Sequence, residues 1–206
     1  MPSDTTSAVT SGEAGARART RRPSPRERLL EAADELFYAD GVHTVGIDRI
    51  LDRADVARAS LYGTFGSKEE LIRAYLDRRM TRMQARLQAA ADAYDDPRQR
   101  LLSVFDAQAV TFAQPGYRGC AFNRASAEAR PDSAAYEVPR AYRHWLRGYL
   151  TDLSAATGVA EPDVLARQIH LLYDGAMTAR SLDADADVTA SARAAAAALL
   201  DTALKG

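Results

Sequence analysis

One stretch constrains the fold more than any other. It runs from Thr44 to Leu71 as T-V-G-I-D-R-I-L-D-R-A-D-V-A-R-A-S-L-Y-G-T-F-G-S-K-E-E-L. Ile47, Ile50, Leu51 and Ala54 recur at i, i+3, i+4 and i+7, the spacing of one apolar helix face. Ala54-Asp55-Val56-Ala57 is a connector. Leu61 and Phe65 then stand at i and i+4 on a second short helix, with Val56 placed to close the gap between the two. What remains outward on that second helix is Arg58, Ala59, Ser60, Tyr62 and Gly63. A short helix with a buried apolar side and a small, polar, once-basic outer side can lie in a DNA major groove. Ser67-Lys68-Glu69-Glu70-Leu71 opens a third helix, because Ser67 is a good N-cap and Glu70 stands three residues on, the spacing of a capping box.

The string Leu61-Tyr62-x-x-Phe65-x-Ser67-Lys68-x-x-Leu71 carries a resemblance, with Thr44, Ile50, Ala54, Val56 and Glu69 also in register. It resembles the DNA-binding domain of the tetracycline-repressor (TetR) family of bacterial transcription regulators. Asp55 stands where that family usually has Gly in the turn, and Asp tolerates the left-handed conformation better than most residues. Ala57 replaces the family's Ser or Thr at the cap of the recognition helix, a loss of ~1 kcal/mol in local stability. The resemblance implies an all-α fold, in which an N-terminal three-helix helix-turn-helix domain over 24–70 joins a larger helical ligand-binding and dimerisation domain over 71–206. In the family the positions of Thr44, Tyr62 and Lys68 contact the DNA backbone.

The chemistry of the side chains agrees with that assignment. Thr44 and Lys68 fall near helix N-termini, where backbone N–H groups hold phosphate. Tyr62 offers a hydroxyl to a phosphate and a ring face to a thymine methyl. Arg58 can read guanine through O6 and N7 or pair with a phosphate. Ala59, Ser60 and Gly63 face the bases or flank those that do. Thr64 contacts phosphate or is simply exposed.

Composition sets the outer bounds. The chain has 206 residues, 47% hydrophobic and 27% charged, with a net charge of −1, so any nucleic-acid footprint must be local rather than global. No apolar run is long enough to cross a membrane. The N-terminus lacks the apolar core of a signal peptide, so a cytoplasmic protein is expected. The one cysteine, Cys120, excludes an internal disulfide and a cysteine-based zinc site. No Ser-His-Asp spacing, metal cluster or glycine-rich phosphate loop marks an enzyme. Neither a cofactor nor a metal is expected.

Residues 1–23 read as a disordered tail whose end is basic, through Arg17, Arg19, Arg21 and Arg22. This is either a minor-groove arm or a solvated leader. Ser24-Pro25-Arg26-Glu27 is a helix start, with Leu29, Ala33, Leu36 and Phe37 as the buried stripe up to Gly41. His43 is read as a surface or phosphate-adjacent residue, and Thr44 as the cap of the next helix. From Lys68 to about Tyr94 one long helix follows. Its arginines, Arg73, Arg78, Arg79, Arg82 and Arg86, read most simply as a solvated face. Asp95-Asp96-Pro97 opens a further helix. In the helix that follows Pro131-Asp132-Ser133, Pro139 marks an early kink or the true first turn. Glu161-Pro162-Asp163 opens the next helix, and an acidic loop over 183–187 precedes a last, alanine-rich one. His144 and His170 lack ligand-spaced neighbours and read as core-edge or interface residues.

Arg118-Gly119-Cys120-x-Phe122, followed by Glu128, resembles a segment of one branch of the same family. Gly119 and Cys120 there allow close helix approach, and Cys120 reads as a buried structural thiol rather than a redox sensor. Met83, Phe105, Gln108, Phe112, Phe122, Asn123, Trp145, Tyr173 and Asp174 are candidates for a ligand cavity, though residues of these types are more often core than cavity. The alanine-rich last helix is too thin to stand alone. By resemblance, the last two helices pair with those of a second subunit, through the Leu172–Met177 face and the 194–200 segment. The reading as a whole is a homodimeric regulator, a repressor of a pseudo-palindromic double-stranded DNA operator released by an unidentified small molecule. The rival readings are an all-helical enzyme and a helical interaction module that has lost DNA binding.

Overall fold

The computed structural model describes residues 22–127, 129–183 and 186–205. Arg17, Arg19, Arg21, Glu128 and part of the acidic loop over 183–187 lie outside the described residues. The described residues form nine α-helices and no strand: α1 (Pro25–Asp40), α2 (Ile47–Ala54), α3 (Arg58–Phe65), α4 (Lys68–Asp92), α5 (Pro97–Phe112), α6 (Ala121–Ser126), α7 (Ala134–Ala156), α8 (Pro162–Leu182) and α9 (Val188–Ala203). None of them is long and apolar enough to cross a membrane.

Among the described residues, local side-chain caps fix three helix starts. Ser24 and Glu27 form the reciprocal capping box of α1, with Pro25 in its first turn. Ser67 Oγ accepts from Glu70 N–H at the start of α4, 3.1 Å away, while the Glu70 carboxylate lies 3.6 Å from Arg73 Nε. Asp96 caps α5 through Arg98 N–H.

Packing follows from the apolar faces. Leu29, Phe37, Ile50, Leu61, Leu71 and Tyr75 are buried together, so α1, α2 and α3 close on the first turns of α4. Phe37 and Tyr75 meet edge to face at 5.5 Å. The remaining helices pack as α4 on α5 and α7, α7 on α8, and α8 and α5 on α9. Leu87, Leu101, Phe105, Leu150, Ile169, Tyr173 and Leu200 fill their centre.

Three sequence expectations are corrected and one is narrowed. The N-cap of α2 is Gly46, so Thr44 does not cap that helix but sits exposed in the turn before it. Helix α7 begins at Ala134, which places Pro139 inside the helix and buried, so of the two alternatives for Pro139 the true first turn is ruled out. The early start has a distant cause: the Glu69 carboxylate of α4 accepts from Ala134 N–H and supplies the cap that Ser133 does not. The arginines of α4 are not all solvated, because Arg79 is bonded to Asp34 of α1 and Arg86 to Thr111 of α5. Finally, Tyr173, Ala176 and Met177 are buried within the chain, so the outer side of α8 is formed by Gln168, Leu171, Gly175, Thr178 and Leu182 instead.

Candidate nucleic-acid interface and the adjoining cavity

Helix α3 has a sharply divided surface. Leu61 is completely buried and Phe65 half-buried beneath the Arg26 guanidinium, 5.6 Å from the ring centroid. Arg58, Ala59, Tyr62, Gly63 and Thr64 are exposed, and Ser60 is half-buried. Tyr62 is 44% exposed, unusual for a large ring with no partner helix over it. A Cβ at Gly63 would meet nothing within 4 Å. Nothing in the fold therefore requires glycine at that exposed helical position, where it costs ~1 kcal/mol relative to Ala.

The turn between α2 and α3 is held from outside. Asp55 adopts the left-handed conformation (φ 52°, ψ 56°). Its carboxylate accepts from Arg22 at 2.6 Å. Arg28 of α1 donates to the carbonyls of Ala54 at 3.0 Å and Asp55 at 2.6 Å, which satisfies the free carbonyl end of α2. Ala57 has the extended cap conformation without a side-chain bond. Arg58 is paired with Asp48 of α2. Lys68 is the first residue of α4, half-buried, its ammonium 6.0 Å from the Phe37 ring centroid. Burial pushes its pKa down, against the raising effect of Glu69. His43 is exposed at the surface, as read from sequence, with its Nε2 3.4 Å from Ala125 O of α6.

A cavity of about 280 Å³ lies where α1, α4, α7 and the loop before α6 meet. Of the residues nominated from sequence, Met83 and Phe122 line it. Phe105, Gln108, Phe112 and Tyr173 are core residues instead, with Gln108 Nε2 donating to Tyr173 O at 2.9 Å. Trp145 is half-buried and stacked on Tyr149 at 5.2 Å. Asp174 is engaged by Arg143 at 2.7 Å, and Asn123 is exposed on α6.

Sequence reasoning missed the polar wall. Asp34 and Tyr38 come from α1, and Arg79, Arg82 and Arg86 from α4. Arg79 grips the Asp34 carboxylate through Nε at 2.9 Å and Nη2 at 3.1 Å while stacking over Tyr38 at 4.0 Å. Arg82 lies 3.8 Å from the same carboxylate. Arg86 donates to the Thr111 hydroxyl at 2.6 Å. The signal was present: Arg79, Arg82, Met83 and Arg86 stand at i, i+3, i+4 and i+7, one helix face.

The Arg118-Gly119-Cys120 segment closes the cavity against α1. Tyr38 Oη donates to Gly119 O at 3.0 Å and accepts from Arg118 N–H at 2.8 Å. Gly119 has φ +92°, and a Cβ there would sit 2.9 Å from Ser181 Oγ, so a side chain would be strained and would displace that hydroxyl. Cys120 is half-buried at the cavity, and burial pushes its thiol up, towards the protonated form. The Tyr142 and Tyr173 phenols face one another, but the Tyr142 hydroxyl makes no hydrogen bond of good geometry. Among the described residues, no group of three His, Cys, Asp or Glu side chains could share a metal ion.

With this geometry in place, similarity to known proteins can be interpreted. The profile of bacterial regulatory proteins of the tetR family matches residues 29–75. The transcriptional activator FasR of Mycolicibacterium smegmatis is 37% identical over 102 residues, covering 48% of this chain and 47% of that protein. The transcriptional repressor KstR of Mycobacterium tuberculosis is 36% identical over 89 residues, covering 43% of this chain and 39% of that protein. These matches span half or less of the relatives' own length. The crystal structure of SCO4454, a TetR-family regulator from Streptomyces coelicolor, superposes with a TM-score of 0.82 at 35% identity, over 87% of this chain and 95% of that one.

Proposed function

The chain belongs to the TetR family of bacterial transcription regulators, and from that premise we propose that it is a homodimeric, ligand-released repressor that acts in the cytoplasm by binding, without catalysis. The observation that carries this reading is the divided surface of α3: Leu61 wholly buried, with Arg58, Ala59, Tyr62, Gly63 and Thr64 exposed on the other side. In this reading α3 enters the major groove. Tyr62, Lys68 and Thr44 hold phosphates, and Arg58 leaves Asp48 to reach a base or a phosphate. Ala59, Ser60 and Gly63 allow the helix backbone to come close, with Thr64 at the edge. Residues 24–70 form the DNA-binding unit and 71–206 the ligand-binding and dimerisation unit. The dimer is formed by α8 and α9, whose outer sides carry Leu171, Gly175, Ala194, Ala195 and Ala198. Two recognition helices related by a two-fold axis call for a pseudo-palindromic operator. We further assign the chain to the branch marked by Arg118-Gly119-Cys120-x-Phe122, a reading supported by the strain that a side chain would meet at Gly119.

The test is fluorescence anisotropy of the full chain on its own upstream intergenic DNA and on random DNA, across a salt series. Specific binding with a steep salt slope is expected. Tyr62→Ala and Lys68→Ala should weaken binding to every sequence, and Lys68→Ala should also lower the salt slope by about one per subunit. Equal affinity of wild type for both DNAs would refute the reading. A promoter fusion then reads the sign of control, with lower reporter output expected when the protein is present.

A further inference from the structure

The cavity wall has a charge imbalance that points to the class of its occupant. Among the described residues lining it, three guanidiniums face one carboxylate, that of Asp34. Asp34 is already engaged by Arg79 through two nitrogens, and Arg82 reaches it only at 3.8 Å. Arg86 has no carboxylate within ion-pairing distance among the described residues and is bonded to the neutral Thr111 hydroxyl. Arg82 and Arg86 lie one helical turn apart on the same face of α4, so one bidentate anion can bridge them. The lining also carries aromatic rings. Phe122 and Tyr142 are stacked at 4.3 Å with 19° between their planes, and Met83 adds an apolar contact. Tyr142 is 4% exposed, and its hydroxyl faces the Tyr173 phenol without a hydrogen bond of good geometry. Cationic groups and stacked rings lining one cavity, with a volume near 280 Å³, describe a small, flat, anionic molecule.

We infer that the effector is an aromatic carboxylate whose charged end is held by Arg82 and Arg86 and whose ring lies against Phe122 and Tyr142, and that it competes with Asp34 for Arg82. This rests on the ligand-released reading given above and supplies its mechanism. Asp34 and Tyr38 belong to α1, which packs against α2 and α3. The arginines belong to α4 and the ring wall to α6 and α7. A carboxylate that draws Arg82 away weakens the ionic tie between α1 and α4, and an added ring presses on the Tyr38 contact with Arg118 and Gly119. Both changes favour a different setting of α1, α2 and α3 against the rest of the chain. A ligand shifts an equilibrium only by its differential affinity for the two states, and competition for Arg82 supplies that difference.

The experiment uses the full chain with benzoate, cinnamate and naphthoate, each beside its primary amide, read by thermal shift and by Trp145 fluorescence, since Trp145 lies 6.2 Å from Tyr142. At least one carboxylate should raise the melting temperature and alter the fluorescence while its amide does neither. Arg86→Met should abolish the carboxylate response by at least tenfold in concentration while keeping the wild-type melting temperature within a few degrees. Asp34→Asn should bind the carboxylate more tightly, because the competitor has lost its charge, and this variant serves also if Arg86→Met fails to fold. The inference is overturned if no carboxylate acts at millimolar concentration, if the amides act equally, or if Asp34→Asn leaves carboxylate affinity unchanged. These readouts need no DNA. Failure of the operator assay with a positive carboxylate response would therefore sink the repressor reading and leave the effector class standing.

Discussion

Ala57 shows how one residue can be in the right conformation and lack the right atom. Its φ of −70° and ψ of 150° are those of an N-cap, and its side chain accepts nothing. Ala57→Ser adds an acceptor for the free N–H groups of α3 without moving the backbone. It should raise stability by about 1 kcal/mol, read as a higher urea midpoint with an unchanged slope, and leave affinity for the operator unaltered. The neighbouring Asp55 was legible from sequence as a left-handed turn residue, because the tolerance belongs to the residue itself. The guanidinium that locks that turn was not legible. Arg28 lies 27 positions away from Asp55, and nothing in its local pattern distinguishes it from the other arginines.

Among the elements, α4 is held by every neighbour that matters to the proposed mechanism. Its first turn caps α7 through Glu69, and Arg73 pairs with Glu137 of α7 at 2.8 Å. Two turns further on, Arg79 binds Asp34 of α1. Removing the cap leaves the Ala134 N–H without its acceptor. Glu69→Ala should therefore cost about 1 kcal/mol in urea unfolding, and Glu69→Gln, which keeps an acceptor oxygen, should recover most of it. The beginning of α4 could be read from Ser67, whose acceptor lies within its own turn. The beginning of α7 could not, since its cap comes from 65 residues upstream. The polar wall of the cavity was hidden for a related reason. A helical period assigns arginines to solvent, and only the opposing Asp34 and Thr111, on other elements, turn Arg79 and Arg86 inward.

For the molecule as a whole, the outer sides of α8 and α9 remain without a partner in the single chain. Leu171 is 71% exposed and Leu182 79%, beside the small outer residues of α9. Small residues allow close helix approach, and a second copy of the same pair would bury both leucines. Leu171→Glu should convert the dimer to a monomer in sedimentation velocity and lower operator affinity about tenfold or more, because the two half-sites would no longer be bound as one unit. The all-helical order was readable throughout, since helix periods, caps and Pro or Gly breaks are local signals. The side of α8 that faces outward was not, because Leu171 and Leu172 are both apolar and only the packing of α7 and α9 chooses between them.

The pairing of Arg58 with Asp48 has a kinetic consequence. In the proposed reading, the cation that inspects the groove is occupied until a stronger partner presents itself. Where Arg58 reads a base, a wrong sequence leaves it on Asp48, and the protein forfeits that contact at every wrong position. It lingers less at each of them, so a sequence that draws Arg58 away from Asp48 is distinguished by residence time as well as by fit.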